Sequence, residues 1–397
     1  MKRTWFGVAI AALLTCGSVA LPAQAADTIK IGVVTIDSGP MELVSKYVVD
    51  SAKLWVDTMN AQGGVNGRKF EIVSETNNGT PAGAISSVTR AVQQDGASFI
   101  IGSMTSSMSL ALAPRMGSLN ALLLDNMSGT AELVEKSCQP NYFRFAPTDS
   151  STLQAYRRLL KQAGIKTWSV IASDYAAGHS YADQFTQVAK DTGGEVKLRL
   201  FEPLGTSDFG SYISQLRDNP SEGLFVYVIG SDAMAFAKQQ DQYGQLKKYK
   251  MVVSTSWTND TVLSIQGNAM LGFYATLPYY YTMPGARNAA FVKAFEERYH
   301  RKPSFIDADP YVTLEMLKAA IEKAKSTDVD KVRAALSGLK TDTVYGNIEM
   351  RAADHMLMHQ MLMAQVVKGT DGKPTFSIIY SAPGNEIAPP PSPACKL

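Results

Sequence analysis

Histidine and cysteine are scarce in this chain. Four histidines (His179, His300, His355, His359) and three cysteines in 397 residues are too few and too scattered for a paired-cysteine or Cys/His metal motif. A Walker A loop, a G-x-G-x-x-G fingerprint, a G-x-S-x-G elbow and an H-E-x-x-H helix are all missing. Their absence removes the phosphate-cradling, dinucleotide, serine-hydrolase and zincin readings. Charge of one sign is missing too: Lys and Arg number 38 against 36 Asp and Glu. So balanced a chain argues against nucleic acid or an anionic membrane as partner. Beyond the first residues no apolar run approaches the roughly 20 residues needed to span a bilayer.

What the sequence does have begins at its N-terminus. Lys2 and Arg3 precede an apolar stretch from Trp5 to Leu14, and Ala23-Gln24-Ala25 follows as a small-x-small cleavage site. That order marks residues 1–25 as a secretory signal peptide and the mature chain as exported. Leu13-Leu14-Thr15-Cys16 faintly resembles a lipoprotein box, but Thr15 is bulkier than the residue such a box carries, so lipidation is the minor alternative. Cleavage would leave a net charge of about zero and two cysteines, Cys138 and Cys395. In an oxidising compartment these form a candidate disulfide, two free thiols being the alternative.

The mature sequence alternates strands and helices. Ile29–Ile36 reads as a strand, Val44–Gln62 as an amphipathic helix and Lys69–Ser74 as the next strand. Helices at Pro81–Gln94 and Ser106–Leu119 follow, with strands at Ser98–Ile101 and Ala121–Leu124. The pattern restarts after Asn141–Pro147, with strands at Trp168–Ala172, Glu195–Phe201, Gly223–Ile229 and Met251–Ser254. Helices at Tyr181–Asp191, Phe209–Arg217 and Ala233–Tyr243 separate them. Such alternation implies α/β units with parallel sheets. A closing section has helices at Ala286–Arg301, Tyr311–Ala324 and Val329–Leu339, and strands at Val344–Met350 and Leu357–Val367. It is too small for a domain and is expected to complete the two earlier halves, making a hinged cleft between two lobes.

Two groups of residues invite chemistry. His355 and His359, interleaved with Met356, Met358, Met361 and Met363, suggest copper, but thioethers at strand spacing fill cores more often. Asp174 with His179 lacks any nucleophile turn beside it. No metal, no cofactor and no enzymatic activity are expected.

Several segments resemble the leucine/isoleucine/valine-binding protein family, the type I periplasmic solute-binding proteins of ABC importers. They are Ile29-Lys30-Ile31-Gly32-Val33-Val34, Met59 to Arg68 (MNAQGGVNGR), Phe99-Ile100-Ile101-Gly102-Ser103, Ser173 to Gly178 (SDYAAG), Gly223 to Tyr227 and Asp342 to Gly346 (DTVYG). The resemblance runs in one order from about Ile29 to Ser381. It implies two Rossmann-like lobes joined by a three-segment hinge. Lobe 1 would comprise residues 27–146 plus 276–357, and lobe 2 residues 147–275 plus 358–397. It also implies a monomer that delivers its solute to an ABC permease.

Carried over residue by residue, the family pattern places the ligand in the cleft. Met104-Thr105-Ser106-Ser107 follows a strand and opens a helix, where free N–H groups suit a carboxylate. Ser106 matches the family serine that binds it, and helix capping is the competing role. Asn126-Met127-Ser128-Gly129-Thr130 resembles a second carboxylate-binding segment, with Ser128 and Thr130 as rival hydroxyls. Tyr175 and Ala177 match a loop of the other wall. Ala177 and Ser231 stand where leucine-binding relatives carry tyrosine. In Ser254-Thr255-Ser256-Trp257-Thr258, those relatives place a glutamate against the ligand's ammonium group. This chain has Ser256 and Trp257 there, with Asp232 or Asp260 as possible substitutes. A buried ammonium without a partner charge is costly. The expected ligand is therefore a small carboxylate without an α-ammonium, an aromatic acid flanked by Trp257, Tyr175 and Tyr280. Branched-chain or other amino-acid binding is one competing reading, and a sensory protein reporting to a membrane receptor is another.

Overall fold

The computed structural model describes residues 1, 28–256, 263 and 267–397. The signal-peptide reading of residues 1–25 and the site candidates Trp257 and Asp260 lie outside these. Among the described residues no helix is long and apolar enough to cross a membrane.

The β-branched run IKIGVVTI forms β1 (Ile29–Ile36), which sits inside a sheet with β2 (Phe70–Asn77), β3 (Phe99–Gly102), β4 (Leu122–Asp125) and β5 (Tyr142–Arg144). These five pair in parallel through helical crossovers, as strands buried on both faces do. The chain then enters a second sheet with β6 (Thr167–Ser173), β7 (Glu195–Glu202), β8 (Gly223–Tyr227), β9 (Met251–Ser254) and β10 (Tyr274–Leu277), also parallel. It returns to the first sheet for β11 (Lys340–Thr343), β12 (Gly346–Arg351) and β13 (Met356–Met358). It ends in the second with β14 (Met361–Lys368) and β15 (Pro374–Ala382). The orders are β11-β12-β13-β5-β4-β3-β1-β2 and β15-β14-β10-β9-β8-β6-β7. Three passages therefore connect the sheets, which is the two-lobed α/β fold expected.

Each sheet is sandwiched by apolar side chains. In β6, Ile171 joins the core on one face while Val170 and Ala172 join that on the other, following the two-residue period of a strand. Glycine permits two tight approaches beside the cleft. Gly102 has φ +109°, and a Cβ there would lie 2.0 Å from the Val34 carbonyl oxygen. A Cβ on Gly178 would lie 1.8 Å from that of Ser173, so only glycine lets the helix Ala176–Asp191 pack so close to β6.

Some element boundaries differ from the sequence reading. The strand expected over Leu357–Val367 is two strands in different sheets, broken at His359-Gln360. Apolar runs flank that break on both sides, and two polar residues are too short an interruption to mark a change of sheet. The helix expected from Tyr311 starts at Phe305 and contains Pro310. A capping box between Ser304 and Asp307 starts it there, and Pro310, in the second turn, forgoes one helical hydrogen bond. The helix from Val329 ends at Leu336, and β15 was not anticipated.

Cys138 and Cys395 are joined in a disulfide, with Cα atoms 5.5 Å apart. It ties the C-terminal tail to the first lobe across 257 residues of sequence. His355 and His359 are core residues. His355 stacks on Phe143 with ring centroids 4.0 Å apart, and its Nδ1 lies 3.2 Å from the Tyr142 carbonyl oxygen. Burial pulls both imidazoles down to about 4. Asp174 and His179 form an exposed pair at 2.7 Å, with the ring resting on Phe201.

Candidate functional site

A cavity of about 430 Å³ opens between the two sheets, among the carboxyl ends of their strands. That is where α/β sheets place ligands, and its size suits a small molecule. The loop after β4 builds one wall. Asp125 Oδ1 accepts the N–H groups of Met127 (3.0 Å) and Ser128 (2.9 Å), and Tyr142 donates to Oδ2 at 2.9 Å. Arg144, wholly buried, braces the loop from behind. Its guanidinium donates to the carbonyls of Ser128, Thr130 (2.7 Å) and Pro147 (3.0 Å). Among the described residues it has no carboxylate within ion-pair distance.

Met104, Met127, Ser128, Gly129, Tyr175, Ser231 and Ser256 line the cavity. Thr105, Ser106, Ser107, Thr130 and Ala177 do not. Thr105 caps the helix Ser106–Leu112 through the Met108 N–H. The Ser106 hydroxyl accepts the N–H groups of Gly129 (3.2 Å) and Thr130 (3.3 Å) and lies 3.3 Å from the Ser128 hydroxyl. It therefore supports the binding loop from one layer below. The Thr130 hydroxyl accepts from the Glu132 N–H. Ala177 is buried at the lobe contact, where a Cβ on Gly129 would lie 3.4 Å from its own Cβ and 3.1 Å from Tyr181 Cε2. Tyr280 points away, into the core of the second sheet. It packs on Phe376 and meets the Thr375 hydroxyl at 2.9 Å, because the chain leaving β10 runs behind the cleft. Asp232 is committed elsewhere, accepting from the Gly205 N–H at 2.7 Å and from Ser231.

The second lobe contributes a tier of tyrosines. Tyr181 stacks on Tyr227 with centroids 3.9 Å apart, and the Tyr175 and Tyr227 hydroxyls lie 3.0 Å from one another. Desolvation raises all three phenols, Tyr175 to about 12, so they stay neutral hydrogen-bonding groups. Tyr181 and Tyr227 were missed in the sequence. Tyr227 had a signal, since it ends a buried strand at its carboxyl end.

Further wall residues carry buried polar atoms without a partner among the described residues, Asn126 Nδ2, Thr255 Oγ1 and Thr276 Oγ1 among them. Most buried polar groups are bonded, so orphans facing one cavity from both sheets mark places for a polar ligand. Asp309 also lines the cavity, from the helix Phe305–Ala324, and the Tyr345 hydroxyl donates to it. Burial raises its carboxyl to about 8.

Two α/β lobes with a largely apolar cavity between them, set with a few polar groups, define a protein built to enclose a small solute. The chain belongs to the periplasmic binding protein family, whose model matches residues 28–373. A Leu/Ile/Val-binding protein homolog of Brucella melitensis is 24% identical over 363 residues, covering 89% of this chain and 92% of the relative. Among solved structures, a solute-binding protein of an ABC transporter from Rhodopseudomonas palustris, in complex with 3,4-dihydroxybenzoic acid, superposes with a TM-score of 0.83. It shares 22% identity and covers 90% of this chain and 98% of its own. The closed form of a leucine-, isoleucine-, valine-, threonine- and alanine-binding protein from Brucella ovis also gives 0.83. Its identity is 21%, covering 94% of this chain and 99% of its own. The resemblance to the leucine/isoleucine/valine-binding proteins thus holds along nearly the whole chain.

Proposed function

We propose that this protein is the periplasmic solute-binding component of an ABC importer, and that its solute is a small aromatic carboxylate held between the lobes. One observation carries the reading: a tyrosine tier shares its cavity with an orphaned amide donor, Asn126 Nδ2. The tyrosine faces suit a flat ring. The amide suits a carboxylate, whose charge it can meet with a hydrogen bond. On this reading the lobes comprise residues 27–146 with 276–357 and 147–275 with 358–397, save that β10 carries Thr276 and Leu277 into the second lobe's sheet; the protein acts as a monomer, and a permease recognises its closed form.

A thermal-shift and calorimetric panel of benzoate, hydroxybenzoates, aliphatic carboxylates, leucine and valine tests the ligand class. An aromatic acid should stabilise the protein most. Stabilisation by leucine or valine with none by benzoates would sink the reading. Asp309 is the specific observation that favours the amino-acid alternative, since a buried carboxyl on the wall can pair with an ammonium.

A further inference from the structure

We propose that Asp309 is a specificity-determining residue of the cleft, receiving a hydroxyl group that the ligand carries away from its own carboxylate. The proposal rests on the aromatic-acid reading above and goes beyond it by naming a substituent and the residue that recognises it.

The helix Phe305–Ala324 presents Phe305, Ile306 and Asp309 to the cavity from the lobe opposite the tyrosines. Two acids lie in its first turns, and they have different duties. Asp307 accepts Arg301 in a two-pronged pair (2.8 and 2.6 Å) and closes the capping box with Ser304. Asp309 has no such employment. It is 2% exposed, and among the described residues no lysine or arginine pairs with it. Only the Tyr345 hydroxyl is seen to bond its carboxyl, on Oδ1. Tyr345 is itself held by stacking on Tyr279, with centroids 5.6 Å apart, so the carboxyl is fixed in orientation. Pro310 has no N–H for the Ile306 carbonyl, which leaves a second acceptor near the same wall without its ordinary helical donor.

A buried carboxyl with a polar atom left without a hydrogen-bond partner is costly to keep. On a cavity wall that cost is offset when the ligand supplies the missing hydrogen bond. The type of donor follows from charge. Among the described residues the group's surroundings, Tyr345, Tyr279 and the Arg301-paired Asp307, contain no free cation, and Lys46 on the cavity wall pairs with Asp50 at 2.5 Å. Burial holds the carboxyl protonated up to about pH 8, so near neutrality it meets its ligand as a neutral acid. A neutral acid both donates to and accepts from a hydroxyl. An ammonium would instead require it to ionise and release its proton.

Isothermal titration calorimetry of the full mature protein, Asp309→Asn and Asp309→Leu, decides the matter. The probes are benzoate, 3- and 4-hydroxybenzoate, leucine and 4-methylpentanoate, each in two buffers of different ionisation enthalpy. The wild type should prefer one hydroxybenzoate over benzoate by about tenfold or more, the scale of one buried hydrogen bond. Asp309→Leu should collapse that ratio toward one, the near-isosteric Asp309→Asn should retain part of it, and binding should release no proton. If benzoates bind but the ratio is the same in the wild type and both variants, this assignment is overturned and the aromatic-acid reading stands. If leucine binds, benzoates do not, and a proton released on binding is lost in Asp309→Asn, both fall and Asp309 is an ammonium partner.

Discussion

Replacing Arg144 tests whether the binding loop is held by a buried cation. Its guanidinium spans three carbonyls, those of Ser128, Thr130 and Pro147, and so ties the loop after β4 to the first passage between the lobes. Arg144→Met fills much of the space but leaves three buried acceptors short of a donor. Hydrogen bonds from a charged group contribute about 1.5–3 kcal/mol each, although three made by one side chain do not add fully. The buried acids Asp125 and Asp149 also lose their nearest cation. Removing one member of a buried charged cluster costs about 3–5 kcal/mol, some of it returned because a desolvated charge has gone. We expect a loss of about 4 kcal/mol, read from urea unfolding followed by tryptophan fluorescence. Arg144→Lys restores the charge but not the planar fork, and should fall between the two. A methionine variant within about 1 kcal/mol of the wild type would refute the argument, since that is the size of an ordinary surface change.

Three other outcomes are expected. Gly129→Ala places a methyl group 3.1 Å from Tyr181 and 3.4 Å from Ala177, so it should hold the lobes apart, weaken ligand affinity and enlarge the radius of gyration in X-ray scattering; an unchanged radius and affinity would count against closure at this contact. Cys138→Ser with Cys395→Ser should lower stability by about 2–4 kcal/mol while ligand affinity is retained, because the bridge lies away from the cleft; denaturant titration and calorimetry check the two halves. Because burial depresses the imidazoles of His355 and His359 to about 4, their contribution is complete above the unfolded value near pH 6.5 and is lost as pH falls toward 4. Replacing both with phenylalanine should flatten that part of the pH–stability curve, and an unaltered slope would show that the imidazoles do not set it.

Much of the architecture was legible because the signals are local. The run IKIGVVTI and the amphipathic helices that follow each strand settle α/β alternation from residues a few positions apart. The secretory pattern and two remaining cysteines, likewise, suggested a bridge that the fold then closes. The site was legible only as segments. Ser106 and Ser128 both look like ligand hydroxyls in the sequence, yet Ser106 braces the loop from below while Ser128, whose hydroxyl donates to it, lies on the cavity wall. Tyr280 looks like a cleft aromatic, yet the exit from β10 turns it into the core. Asp309 sits in a buried helical run where an acid has no local explanation, and its place on the cavity wall emerges once Tyr345 and the opposite lobe are in place. The sequence by itself determined which stretches become strands and helices, because those preferences act over a turn or a pleat. Only the tertiary structure decided which polar atoms remain without partners facing the cleft, because hydrogen-bond satisfaction is settled between residues far apart in the chain.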